Sequence, residues 1–392
     1  MKLSAAKTLA AIFVGSILVA SLGCNCLCSG KKAGALVTKP KGIDVGTGKA
    51  WNFVVSGDSR NCGDVVMPAI AQGAANDHAA FYWHLGDLRA GYDFDEDLLK
   101  AAEKEGKKLR ISDYVGNADG TSIGAWGDFK QSQIAPFQMQ HIPFFLGIGN
   151  HETIWPQSRD RFTKYFSAWL DSPELKDQRL YDLQKHGAQD SGAKTYYHWI
   201  VGTVDFIFLD NASAEEFDVV QVKWFEDVLR DDRDKQSGIT TVIVGMHAAL
   251  PYSLSEGHSM NESPDGEKSG AQIYKDLLDL QSSGKKVYVL ASHSHFFMDG
   301  IFKTDHWPVE QQLAGWIVGT AGAVRYRLPD NANRANAAKT DVYGYLLGTV
   351  NTDGSVDFKF HEFKVSDIPP AVVERYSKKL VDWCFADNKR MQ

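Results

Sequence analysis

From Trp51 onward, short apolar runs alternate with stretches whose apolar residues recur every three or four positions. Residues 53–55, 79–85, 142–146, 241–245, 286–291 and 316–319 are brief, rich in β-branched or aromatic side chains, and bounded by glycine or polar residues. That pattern predicts buried strands. Residues 196–201 and 204–209 flank Gly202-Thr203 as a hairpin, and 343–350 returns as 356–360 through Asp353-Gly354. Helical spacing predicts helices over 65–75, 95–107, 126–137, 159–170, 217–229 and 271–280. In the fourth, Phe162, Tyr165, Phe166, Trp169 and Leu170 form a stripe expected to face the core; in the fifth, Phe217, Val220, Trp224 and Val228 share a face. Strands alternating with helices give an α/β class. No repeat or linker interrupts the chain between Trp51 and about Phe363. The expected organisation is an export segment (1–23), a Gly-, Lys- and Thr-rich tether (24–48), a single domain (49–365) and a C-terminal extension (366–392).

Composition narrows the function. A chain of 392 residues that is 44% hydrophobic can bury a large core. A formal net charge of -7 argues against a general nucleic-acid partner, which needs a basic surface. Lys2 and Lys7 precede an uncharged, mostly apolar run over 9–22, too short to span a membrane comfortably and suited to export. The run ends at Ser21-Leu22-Gly23-Cys24, similar to a bacterial lipoprotein cleavage site with Ser21 where leucine is usual. A periplasmic or cell-surface location is expected, with possible membrane attachment through lipidated Cys24; ordinary secretion is the alternative. Cys26 and Cys28 lie beside that site without metal-site spacing. Cys62 and Cys384 are the pair to test first for a disulfide.

Candidate chemistry sits just past the strand ends, where α/β proteins collect functional groups. These positions hold Asp58, Asp87 after Gly86, Asn150 and His151 within Gly147-Ile148-Gly149-Asn150-His151-Glu152, His247, and the pair His293 and His295. Leaving His151 aside, three imidazoles, two carboxylates and one amide oxygen suit borderline divalent metals. Six ligands exceed what one tetrahedral ion uses and suit two ions sharing a carboxylate, about 3.5–4 Å apart.

This series, with its Gly-Asn-His-Glu block and downstream His-x-His, resembles the calcineurin-like metallophosphoesterases, a superfamily that includes the purple acid phosphatases. The resemblance implies a β-sandwich of two mixed sheets flanked by helices, two metal ions (Fe, Mn or Zn), and hydrolysis of a phosphate-ester substrate by a metal-bridging hydroxide, monoesters before diesters. It implies that Asp87 bridges both ions, that Asp58 and His295 bind the first, and that Asn150, His247 and His293 bind the second. His151 would protonate the leaving oxygen as an imidazole of ordinary pKa.

The chain departs from that pattern in three places. Arg60 stands where many members have a histidine ligand, and arginine cannot bind a metal. Ala90 stands where purple acid phosphatases have a tyrosine ligand, with Tyr92 two residues further on, and Ser292 replaces a usual glycine. Arg60 either clamps phosphate, the favoured reading, or is a structural ion-pair residue with water or Asn61 filling the place on the metal. A surface lipoprotein with a degenerate metal site, binding phosphorylated glycans or lipids without turnover, is the alternative function. Residues 88–124 and 258–270 are expected to govern substrate choice. His84 reads as a packed or hydrogen-bonded strand histidine. His78, His141, His186, His198, His258 and His306 are expected mostly at the surface, and the acidic run 93–97 as a solvated helix start.

Overall fold

The computed structural model describes residues 40, 42–116, 124–186, 191–212 and 216–390. The export segment, Cys24 and most of the tether lie outside them. Twelve strands occur among the described residues: β1 (Trp51–Ser56), β2 (Ala79–His84), β3 (Phe144–Leu146), β4 (Tyr197–Val201), β5 (Val204–Leu209), β6 (Thr241–Met246), β7 (Lys286–Ala291), β8 (Phe297–Asp299), β9 (Ala314–Val318), β10 (Ala337–Lys339), β11 (Gly344–Val350) and β12 (Val356–Glu362). They form two mixed sheets, ordered β12-β11-β1-β2-β3 and β10-β8-β9-β7-β6-β5-β4. In the first, β1, β2 and β3 run parallel, with Val55 opposite Trp83 and Trp83 opposite Phe145. In the second, β5, β6, β7 and β9 run parallel. Parallel strands end on the same side, so each sheet delivers its polar strand ends to one edge.

The sheets pack face to face through aromatic rings. Phe53 and Phe81 each meet Phe206 edge-on at 5.0 Å, and Phe145 stacks on Trp199 at 4.0 Å. Such offset and T-shaped pairs add to the burial energy of each ring. The far face of the second sheet carries its own apolar layer, where Val242 and Val244 meet Phe225, Leu229 and Leu277 of the helices Val219–Arg233 and Pro264–Ser282. Strands covered on both faces read as continuous apolar runs, which is how β6 appears in the sequence.

Local corrections have local causes. The expected 217–229 helix begins at Val219, because the Asp218 carboxylate caps it by accepting from the Val220 and Gln221 N–H groups. The shift turns Val220 outward, at 65% exposure, and turns Phe225 and Leu229 inward. The expected 159–170 helix breaks at Phe166 into Arg159–Tyr165 and Ser167–Leu170, burying Phe162, Phe166 and Leu170 and leaving Tyr165 and Trp169 beside Lys130. The acidic run is not a solvated start. Asp93 is exposed, but Asp95 and Asp97 are fully buried around an equally buried Arg89, each at 3.0 Å, with Asp64 as its third carboxylate partner. His198 is not at the surface either: it is buried between Asp205 at 2.7 Å and Asp182 at 2.8 Å. Burial opposes its charge, yet Asp205 and Asp182 hold the imidazole well above its ordinary pKa.

Beyond residue 366, the helices Pro370–Tyr376 and Lys378–Ala386 place Tyr376, Leu380 and Cys384 in the core that includes Val66 and Ile70 of helix Gly63–Asn76. Cys384 is disulfide-bonded to Cys62 across 322 residues, with Cα atoms 5.9 Å apart. Closing so long a loop removes much of the unfolded chain's freedom. Replacing both cysteines by serine is expected to lower the unfolding free energy by about 2–4 kcal/mol in urea titrations at fixed metal concentration. An unchanged midpoint would show that the bond contributes nothing to stability.

Candidate metal centre

Three strand ends of the first sheet and two of the second meet at one edge. Asp58 follows β1, Asp87 follows β2, Asn150 follows β3, His247 follows β6, and His293 with His295 follows β7. Donor atoms of Asp87, His247 and His293 all lie within 4.8 Å of one another, as do those of Asp58, Asp87 and His295. Asp87 belongs to both sets.

The backbone at this edge is unusual. Asp58, Asp87 and His293 have φ of 60°, 57° and 64°, the left-handed region that non-glycine residues rarely occupy. Glycine is required at Gly149, where a Cβ would collide with Asp87 Oδ1 and lie 2.9 Å from His247 Cε1. Glu152 was given no role from sequence, yet it fixes the corner. Its buried carboxylate accepts from the Asp87, Leu88 and Gly149 N–H groups at 3.0, 2.9 and 2.8 Å, tying the end of β2 to the end of β3.

Two of the imidazoles are oriented by carbonyls, which can only accept. His247 Nδ1 lies 3.0 Å from the Leu85 oxygen and His295 Nδ1 lies 2.6 Å from the Val324 oxygen, so each Nε2 turns its lone pair to the site. Ser292, in place of the usual glycine, is buried behind them: its hydroxyl donates to the Leu85 oxygen at 2.9 Å and lies 3.1 Å from His247 Nδ1. His84 is a neutral packed histidine, as expected. Burial pushes it down to about 3, and its ring nitrogens meet the Gly86 N–H at 3.2 Å and Ser59 Oγ at 3.1 Å.

These residues fit a pair of cations. Asp58 Oδ1 is buried and makes no hydrogen bond, although His295 Nε2 is 3.2 Å away. The Asn150 side-chain oxygen faces His247 Nε2 at 2.9 Å and the two Asp87 oxygens at 3.2 and 3.3 Å. Turning the amide over would let its NH2 donate to all three; oxygen inward is the orientation that a cation needs. The field points the same way. Against burial, Asp87 and Asp58 hold the His247 imidazole up to about 10, so positive charge is strongly favoured between them.

His151 and Arg60 stand beside these donors. The His151 N–H donates to Asp87 Oδ1 at 3.0 Å, and its Nε2 lies 3.5 Å from Asp87 Oδ2. Arg60 Nη1 approaches His151 Nδ1 at 2.8 Å and Nε2 at 2.9 Å, while Arg60 Nε donates to Asp95 at 3.3 Å. The Tyr92 hydroxyl bonds His151 Nδ1. An ordinary pKa for His151 does not hold: burial pushes the ring down to about 4, helped by Arg60 and opposed by Asp87. Asn61 turns away and donates to Asn388 Oδ1 at 3.3 Å, so it does not replace the missing histidine. His258, expected at the surface, packs edge-on against His293 with centroids 5.2 Å apart.

The chain resembles a purple acid phosphatase from yellow lupin (Lupinus luteus) seeds at 15% identity and a TM-score of 0.49, over 81% of this chain and 52% of that one. It thus spans about half the length of the lupin enzyme. It also resembles a dimetal phosphatase from Danio rerio at 10% identity and a TM-score of 0.48, over 80% of this chain and 96% of that one. No curated protein sequence matches. A family profile described as calcineurin-like phosphoesterase matches residues 81–297, more than half of the chain, taking in Asp87 through His295 and leaving Asp58 before its start. On that match the chain belongs to the calcineurin-like phosphoesterase family.

Proposed function

We propose that this chain hydrolyses phosphate esters with two metal ions at the sheet edge, acting on monoesters before diesters. The observation that carries the reading is the overlap of two buried donor sets on Asp87. Asp58 and His295 would hold one ion, Asn150, His247 and His293 the other, with Asp87 shared between the two. The mixed nitrogen and oxygen donors suit Fe, Mn or Zn. Bound there, the two cations would supply Lewis acidity and lower the pKa of coordinated water.

The chain's own groups do the rest. Leu85 and Val324 keep the imidazoles aimed. Arg60, anchored through Nε to Asp95, offers its remaining N–H groups to a phosphoryl oxygen, combining the two roles that sequence left as alternatives. In its protonated form His151, beside Asp87, donates from Nε2 to the leaving oxygen; with the ring held down to about 4, that form is favoured in acid. The buried Cys62–Cys384 bond supports an exported chain, periplasmic or at the cell surface; an anchor through Cys24 rests on the sequence alone.

Metal analysis of the purified protein, with p-nitrophenyl phosphate and bis-p-nitrophenyl phosphate as substrates, tests the reading. About two equivalents of metal are expected, with faster turnover of the monoester, loss on chelation and recovery on adding metal back. One equivalent or none, with neither ester turned over, would instead favour a degenerate site that only binds phosphorylated ligands.

A further inference from the structure

The C-terminal segment carries a cation to Tyr326, a residue that packs on the metal centre. Past helix Lys378–Ala386 the chain runs alongside Arg325: the Arg325 N–H donates to the Asn388 oxygen at 3.1 Å, and the Arg390 N–H donates to the Arg325 oxygen at 3.0 Å. Asn388 is buried and locks the segment down, donating to the Gly322 oxygen at 3.1 Å and the Tyr343 hydroxyl at 2.7 Å. The disulfide at Cys384 fixes its near end.

Arg390 itself is exposed and lies over Tyr326, with its guanidinium carbon 3.8 Å from the ring centroid and Nη2 donating to the hydroxyl at 2.8 Å. Tyr326 in turn stacks on the metal-site residue His295 at 4.0 Å and on His258 at 5.0 Å. Arg390 and the metal-site imidazole of His295 thus pack on the same aromatic ring.

We propose that Arg390, backed by Tyr326, forms a subsite for a second anionic group on the substrate, so that the preferred substrate is a phosphate monoester whose alcohol portion carries another carboxylate or phosphate. This rests on the hydrolase reading above. A scissile phosphate held at the metal centre beside Arg60 leaves its alcohol portion facing outward. A planar guanidinium there meets an oxyanion through paired N–H donors. Because the group is exposed, its effect should weaken with salt.

The test compares phenyl phosphate with 4-carboxyphenyl phosphate on the wild type and on Arg390→Ala. Taking the ratio between the two proteins cancels the intrinsic reactivity of each ester. The variant is expected to raise KM for the carboxylated ester about tenfold more than KM for phenyl phosphate, an exposed charge-assisted pair being discounted for screening. Arg390→Lys should recover part of the difference, and high salt should shrink it in the wild type. Equal shifts for both esters, or a shift in kcat alone, would overturn the proposal and leave Arg390 as a support for Tyr326 and His295. If the wild type turned over neither ester, the hydrolase reading would fail by itself; the same two compounds would then be compared by calorimetric binding to the metal-loaded proteins, where an unchanged ratio of affinities in Arg390→Ala would overturn the subsite.

Discussion

Asp87→Asn is expected to abolish the paired metal centre and lower turnover by on the order of a thousandfold, a loss typical of removing a group that stabilises transition-state charge. Asp87 is the one residue common to both donor sets. A carboxylate offers two charged oxygens to two ions, whereas an amide offers one neutral oxygen and a donor group. The substitution isolates this effect because asparagine tolerates the left-handed backbone at this position as well as aspartate does, and because the Asp87 N–H bond to Glu152 is a main-chain contact. Metal content, kcat and the circular dichroism spectrum should be measured on one preparation. A variant with native spectrum, both ions and near-native turnover would remove Asp87 from the bridging role.

His151→Gln is expected to slow hydrolysis of an alkyl phosphate by about 10²–10⁴-fold, the range that a positioned proton donor contributes. The same change should slow p-nitrophenyl phosphate far less, because p-nitrophenolate departs without a proton. Metal content should not change, since the imidazole lies outside both donor sets and the His151 N–H bond to Asp87 is made by the backbone. Comparing kcat for the two esters reads the role directly. An equal loss on both would assign His151, with Arg60 and Tyr92 against its ring, to holding the phosphate rather than to serving the leaving oxygen.

The strand ends were legible in the sequence because their signal is local. Gly86-Asp87, Gly149-Asn150 and His293-Ser294-His295 each follow an apolar run within a few residues, and parallel pairing brings such ends together. What escaped was non-local or unlettered. Asp95 and Asp97 look like a solvated acidic turn until Asp64, Tyr114 and the C-terminal Tyr376 close around the same buried cluster. Glu152 is visible as a carboxylate, but its partners are backbone N–H groups that no sequence spells out. β8 and β10 have three residues each, too few for a period to show. The phase of helix Val219–Arg233 could have been read from Asp218, a good cap one residue after Phe217. The tail at Asn388 and Arg390 carries no pattern of its own; its pairing with Arg325 and the Asn388 bonds to Gly322 and Tyr343 give it a place.

The left-handed backbones of Asp58, Asp87 and His293 bear on how the protein acquires its ions. An L-residue adopts that conformation at a cost of about 1–2 kcal/mol. The folded chain carries that cost whether or not an ion is bound. An arriving ion therefore meets a rigid cradle whose ordering entropy is already spent, and it binds more tightly than it would to flexible loops bearing the same side chains. On that reading the site would fill at lower metal concentrations than a flexible chelator bearing the same side chains.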